Sequence, residues 1–382
     1  MLRNANMHNA QPGNPFRYGT VVDDPFFINR VKELAEVKES LLSGQNLIIY
    51  SPRRYGKTSL IKKILKTLSN EGHPCIFIDF FRIHSKEKFI EEYTREVFKN
   101  YPSWEKTLKK AVTILKTVHP VVTLNENGLP EFSLKYSRSQ IPQAIEEIIN
   151  LPEKLAGEKR WIVVLDEFQE IERLEGERFE KELRASYQLH QNISYVFMGS
   201  RKHLLTNIFT RKNRAFYNFG RLYKLDRIPE TELTAHLKAS FESTGIKTDP
   251  GVLNRLLELA GNIPFYVQMV ASVLWDLTAG KHKELTNTLL DEAIKTSLWH
   301  QTDYYVVLLQ NLTAYQQKVL HAVAIENSGL FTKEYAERFF LSANSSTQRA
   351  LTTLMDKDIL NKHENSYYFE DPLFRIWLTQ NE

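Results

Sequence analysis

Apolar residues gather in four short runs, at 47–50, 75–80 (interrupted only by Asp79), 161–165 and 194–198 (opened by Ser194). Runs of that length, bounded by polar turns, read as strands buried on both faces. Between them the pattern becomes helical. Val31, Leu34, Val37 and Leu41 mark one face of a helix over 31–42, with Asn29 placed to cap it. Lys32 rather than an acid follows three positions on, so no capping box is expected. Helical patterns also cover 60–70, 86–117, 141–150 and 177–191. Short strands alternating with helices predict an α/β fold, a mostly parallel sheet with helices on both faces. Two further segments, 121–124 and 131–134, flank Asn127-Gly128 and predict a hairpin inserted in that core.

Beyond the last run the pattern is almost wholly helical over 230–305, broken at Gly261-Asn262-Ile263-Pro264 and at Gly280. Helices at 314–325, 332–340 and 345–359, then a hairpin over 361–370 turning at Glu364-Asn365, describe a winged helix-turn-helix. Val319, Leu320, Leu351, Leu354 and Met355 are its expected core, with Phe374 and Trp377 pinning the tail back onto the protein. The start of the chain, broken by Pro12, Gly13 and Pro15, reads as a loosely held arm. The expected division is an arm at 1–19, an α/β core at 20–229, a helical lid at 230–305 and a winged-helix domain at 306–382.

Composition narrows the class without naming a task. A length of 382 residues suits two or three domains, and 42% hydrophobic with 25% charged residues are ordinary globular values. A formal net charge of +4 gives no single-sign field directed at DNA or an anionic membrane. One cysteine, Cys75, excludes an internal disulfide, and its apolar neighbours make it a small core residue. The polar first nine residues hold no apolar core for a signal peptide, and no run is long enough to span a bilayer. A cytoplasmic location without membrane insertion is expected. The 11 histidines show no metal-ligand spacing, so no metal is expected beyond Mg2+ carried with a nucleotide.

The candidate chemistry lies just after the first run, at Ser51-Pro52-Arg53-Arg54-Tyr55-Gly56-Lys57-Thr58-Ser59. Strand, loop and helix follow one another there, and the loop departs from G-x-x-x-x-G-K-[ST] only at Ser51. Such a loop aims backbone N–H groups and a helix N-terminus at a phosphate. Gly56 permits close approach, Lys57 supplies charge for the terminal phosphates, and Thr58 offers a hydroxyl to Mg2+. Pro52 biases Ser51 towards an extended shape, which preserves a binding loop.

Asp166 closes the run at 161–165, where a carboxylate at a strand's C-terminal end faces the ligand crevice of a parallel sheet. It is the expected Mg2+ ligand with Thr58, and the adjacent Glu167 the group that deprotonates an attacking water. The plainer reading makes both acids the start of a charged run through Glu170, Glu172, Glu175 and Glu177. Asp79, another strand-end acid, lacks the neighbouring Glu. Ser200 and Arg201, after the run at 194–198, are candidate γ-phosphate sensors, with a solvated turn as the alternative. Arg53 and Arg54 flank phosphates or face a neighbouring surface. Arg214 or Arg221 would complete a neighbouring subunit's site, although a solvated face is the plainer reading of Arg214.

Taken in order, these motifs resemble the archaeal and bacterial ATPase family among the AAA-type, STAND-like P-loop ATPases. The likeness runs through Phe27-Ile28-Asn29-Arg30 with Glu33-Leu34, residues 52–59, Leu165-Asp166-Glu167-Phe168-Gln169 and Gly199-Ser200-Arg201. It continues with Gly261–Pro264 and the final Asp371-Pro372-Leu373-Phe374-Arg375-Ile376-Trp377-Leu378, and so covers about 20–380. The resemblance implies ATP rather than GTP, hydrolysed with Mg2+. It implies that the backbone near Phe27, Ile28 and Arg30 packs against adenine, with Pro264 closing from the other side. It also implies a C-terminal winged helix. Ser51, Asn29 and Asn262 stand where the family favours glycine. The expected function is ATP hydrolysis driving a conformational switch with a protein partner, with nucleotide-dependent self-association. The alternatives are a DNA-associated ATPase using the winged helix and a nucleotide-binding structural protein with negligible turnover. A small-molecule kinase would use the same loop, but the Asp166-Glu167 pair favours water as acceptor.

Overall fold

The computed structural model describes residues 13–22, 26–28, 30–99, 113–124 and 130–380. It divides into two compact units, Arg30–Asp226 and a second made of the N-terminal segment with Arg227–Glu382.

The first unit is built on strands β1 (Leu47–Tyr50), β2 (Cys75–Asp79), β5 (Trp161–Asp166), β6 (Ile193–Gly199) and β7 (Arg221–Lys224). Their order is β2-β5-β6-β1-β7, and every neighbouring pair is parallel. The period-2 alternation sorts their side chains. Ile76, Ile78, Trp161, Val163, Leu165, Tyr195 and Phe197 join one core with residues of α3 (Lys86–Lys99), α4 (Ile141–Ile149) and α6 (Glu177–Tyr187). The opposite face meets α1 (Val31–Leu42) and α2 (Lys57–Asn70). Ser194 Oγ donates to the Leu41 carbonyl at 2.6 Å, and the Lys62 ammonium sits 5.3 Å over the Phe77 ring. Cover on both faces explains why β5 and β6 are buried at every residue.

Four features of this unit differ from the sequence expectation or extend it. The edge strand β7 was not expected, because Arg-Leu-Tyr-Lys carries its charges on a largely exposed strand paired only with β1. The cap of α1 is Arg30, in left-handed backbone at φ 55° with no side-chain capping bond; Asn29 lies outside the described residues. The inserted hairpin is present as antiparallel β3 (His119–Leu124) and β4 (Pro130–Lys135), while the expected Asn127-Gly128 turn lies outside the described residues. The helical pattern at 86–117 is seen as α3 and as helical residues at 113–114, with the stretch between outside the described residues and 115–117 not helical.

In the second unit, α8 (Glu230–Glu242), α9 (Pro250–Leu259), α10 (Pro264–Thr278) and α11 (Asn287–Gln310) form the helical part. The arm, expected at 1–19 to be loosely held, docks on it in its described part: Phe16 is buried 4.6 Å from the Phe241 ring, and Asn14 donates to Ser272 and Asp276. Helix α11 runs unbroken across residue 305, where the sequence pattern divides helical from winged-helix parts. The remainder is α12 (Ala314–Ile325), α13 (Lys333–Arg338), α14 (Asn344–Asp356), a hairpin of β8 (Leu360–His363) and β9 (Ser366–Phe369), and α15 (Pro372–Gln380). Three helices and a wing are present as expected, opened by a Thr313–Gln316 capping box. Val319, Leu320, Leu351 and Leu354 are fully buried and Met355 half-buried. Phe374 and Trp377 pack 4.9 and 5.6 Å from the Tyr305 ring, fastening the tail to α11.

Candidate nucleotide site

The crest of the first unit is set by strand order. β6 lies between β1, which leads into the loop, and β5, which ends in the acids. Tyr50 pairs with Gly199 and Leu165 with Phe197, so Ser51, Asp166, Glu167 and Ser200 emerge at one edge of the sheet. The loop enters α2 through Gly56, whose φ of 84° L side chains resist. The first amides of α2, at Lys57, Thr58 and Ser59, have no intrahelical acceptors, which is the arrangement that receives an anion. Ser51 is buried outside the left-handed region, so its place needs no glycine. Arg54 takes left-handed backbone at φ 70° and is half-buried, whereas Arg53 is exposed.

Lys57 Nζ donates to the Ser51 carbonyl at 2.8 Å, the Pro52 carbonyl at 3.1 Å and Ser51 Oγ at 3.3 Å. The ammonium is thus held across the mouth of its own loop, and the serine that replaces glycine adds one acceptor. Thr58 Oγ1 donates to Asp166 Oδ2 at 3.2 Å, which brings together the two expected metal ligands. A hydroxyl and a carboxylate are hard oxygen donors that fit Mg2+, an ion that takes its other ligands from phosphate and water. Burial raises the Asp166 carboxyl from 3.8 to about 6; the Glu167 charge beside it adds to the rise, while its hydrogen bond from the Glu167 N–H and the Lys57 charge oppose it.

Glu167 has left-handed backbone at φ 48°. Its Oε2 accepts from Ser200 N at 3.1 Å, from Ser200 Oγ at 3.0 Å and from Gln169 Nε2. Ser200 is therefore wired to the carboxylate, not a solvated turn. Gln169, to which the sequence reading gave no role, is thus part of this hydrogen-bonded cluster. It reaches Glu167 because residue 199 is glycine: a Cβ there would lie 2.1 Å from Gln169 Oε1. Arg201 is half-buried at the start of α7 (Lys202–Thr210).

Other expectations change place. Asp79 accepts from Phe81 N–H and pairs with Arg82 at 3.5 Å, which makes it a local cap. Arg214 is not on a solvated face: its guanidinium pairs with the fully buried Glu180 and with Glu172 at 2.6 Å. Arg221 donates to Ser40 Oγ at 2.9 Å. Arg30, whose backbone was expected near adenine, sends its side chain to the Tyr55 carbonyl in the loop at 3.0 Å. Phe27, Ile28 and Pro264 belong to the second unit, with Ile28 buried and Pro264 opening α10.

Comparison with known proteins agrees with this geometry. Residues 27–213 match the family described as "ATPase domain predominantly from Archaea", and residues 303–380 match "Probable winged helix domain". Two uncharacterized ATP-binding proteins of Methanocaldococcus jannaschii are 30% identical over 152 residues and 26% identical over 165. These alignments cover 38% and 40% of this chain, and the chain spans less than half the length of these relatives, 40% and 45%. Among solved structures, the Walker-type ATPase of Pyrococcus abyssi shares the fold at TM-score 0.65 and 19% identity, over 92% of this chain and 96% of that one. The Aeropyrum pernix ORC2 protein does so at 0.56 and 16%, over 96% and 98%.

Proposed function

The chain belongs to the archaeal and bacterial P-loop ATPases that end in a winged helix, and from that premise we propose that it hydrolyses ATP with Mg2+ and acts on DNA through its C-terminal domain. The observation that carries the first half is the convergence of Lys57, Thr58, Asp166, Glu167 and Ser200 on one sheet edge, with Thr58 and Asp166 3.2 Å apart. Lys57 and the first amides of α2 bind the phosphates, and Thr58 and Asp166 hold the metal. Mg2+, when bound, supplies charge neutralisation on the phosphates. Glu167 takes the proton of the attacking water, and Ser200 with Gln169 fixes the carboxylate that does so. The roles of Phe27, Ile28 and Pro264 at the adenine rest on the family pattern. Lys57→Ala should weaken ATP binding at least tenfold by calorimetry while leaving the thermal unfolding profile intact; unchanged affinity would refute the site.

The DNA reading rests on α14. Its exposed residues Asn344, Ser345, Gln348, Arg349 and Thr352 are polar, and no acid occurs between Arg338 and Asp356. Asn, Gln and Arg are the side chains that read base edges in a major groove. Across 303–380, however, seven Lys and Arg stand against nine Asp and Glu, so few phosphate contacts and a shallow salt dependence are expected. A second reading, a switch that engages a protein, draws on exposed aromatic surface: Trp299 is 75% and Phe340 80% exposed. Retention on duplex DNA at two salt concentrations separates them. Retention lost in Arg349→Ala supports the DNA reading; no retention at low salt with any nucleotide removes it in favour of a protein partner.

A further inference from the structure

Arg30 is 2% exposed, and at φ 55°, ψ 38° it occupies backbone that a non-glycine residue adopts uncommonly. A buried guanidinium persists only with acceptors around it. Its Nη1 donates to Glu33 Oε1 at 2.7 Å, and its Nη2 to the carbonyls of Tyr55 and Asp226, each at 3.0 Å. These three acceptors lie on three different segments. Glu33 is in the first turn of α1, Tyr55 in the phosphate loop and Asp226 just beyond β7. Arg30 and Asp226 are also the first and last residues of the ATPase unit, the two points where the chain crosses to the other unit.

The Tyr55 carbonyl shares a peptide with the Gly56 N–H. A planar trans peptide points its C=O and N–H to opposite sides. Anchoring that oxygen on Arg30 therefore turns the Gly56 N–H away from the guanidinium, and the freedom of Gly56 at φ 84° lets the chain enter α2 from that peptide orientation. The same nitrogen atom that fixes this peptide also fixes the Asp226 carbonyl. A shift of the loop peptide pulls on Arg30, and through it on both chain crossings.

We propose that Arg30 is a positioning residue that presets the Gly56 amide for a nucleotide phosphate and couples occupation of the loop to the backbone at 224–230. The inference rests on the nucleotide reading of the loop above. Its test uses the full chain as wild type, Arg30→Met and Arg30→Lys. Affinity for ADP is measured by calorimetry, and hydrogen exchange over 224–230 with and without saturating ADP. Wild type should bind ADP and slow exchange at 224–230. Arg30→Met should bind at least tenfold more weakly and, once saturated, show no added protection there. Arg30→Lys, which retains a donor but not the planar fork, should recover part of both effects. If Arg30→Met fails to fold, the lysine variant carries the comparison through reduced protection at 224–230. Wild type that binds ADP, with variants that match it in affinity and in ADP-dependent protection, overturns the role of Arg30 alone. Wild type that binds no ADP overturns the nucleotide reading and this inference with it.

Discussion

At the residue scale, the site is a balance between burial and charge around Asp166. An ionised carboxylate in that setting is destabilising by itself, because its folded value of about 6 lies above the ordinary 3.8. The sign follows from proton linkage: between those values the folded state holds the proton more tightly, so stability is lost as pH rises through that window. Asp166→Asn should therefore raise the thermal midpoint at pH 7, by about 2 kcal/mol in free energy, with the gain shrinking as pH falls towards 4. The same variant should lose Mg2+-dependent nucleotide binding. In wild type that binding should weaken below about pH 6, where a proton competes with the metal for Asp166; a flat profile from pH 5 to 8 would contradict this. The placing of Lys57 and Thr58 at a strand–loop–helix turn, and of Asp166 at a strand end, could be read from the chain because each is carried by local spacing. Gln169 and the Arg30 side chain could not. Their meaning depends on a glycine thirty residues downstream and on loop and strand-exit carbonyls, contacts that only the fold creates.

At the element scale, the readable parts were those whose burial leaves a periodic trace. Strands covered on both faces appear as apolar runs, and α12 and α14 show their core positions by helical spacing. β7 leaves no such trace, because only its backbone pairs with β1 while most of its side chains face solvent. The end of α11 was equally hidden: no Gly or Pro interrupts 287–310, and its last turns are held by the far tail of the chain. That tail is the most testable element. Trp377 stacks with Phe374, lies against Tyr305 and donates from Nε1 to Thr302 Oγ1 at 3.3 Å, while Tyr305 donates to Asp371 at 3.2 Å. Trp377→Ala should cost about 3 kcal/mol of stability in this unit, read as an earlier unfolding transition, and leave nucleotide affinity at the phosphate loop unchanged. An unaltered transition would mean that α15 contributes little to holding the winged helix.

At the scale of the whole molecule, a nucleotide unit and a winged-helix unit share one chain that crosses between them at Arg30 and Asp226. Any use of ATP to alter the winged helix has to act through those crossings or through surfaces that nucleotide brings together. The hydrolytic role of the first unit depends on whether ATP is turned over at the end of β5. The most direct measurement is phosphate release by wild type and Glu167→Gln under single-turnover conditions, with bound ATP quantified in the same samples. Both should bind ATP with affinities within a few-fold of each other, since Lys57, Thr58 and Asp166 are untouched. Release by Glu167→Gln should fall by on the order of a hundredfold or more, because the amide cannot accept the proton of the attacking water. Equal release rates in the two proteins, at equal ATP occupancy, would contradict the assignment of Glu167 and with it the hydrolytic reading of the site.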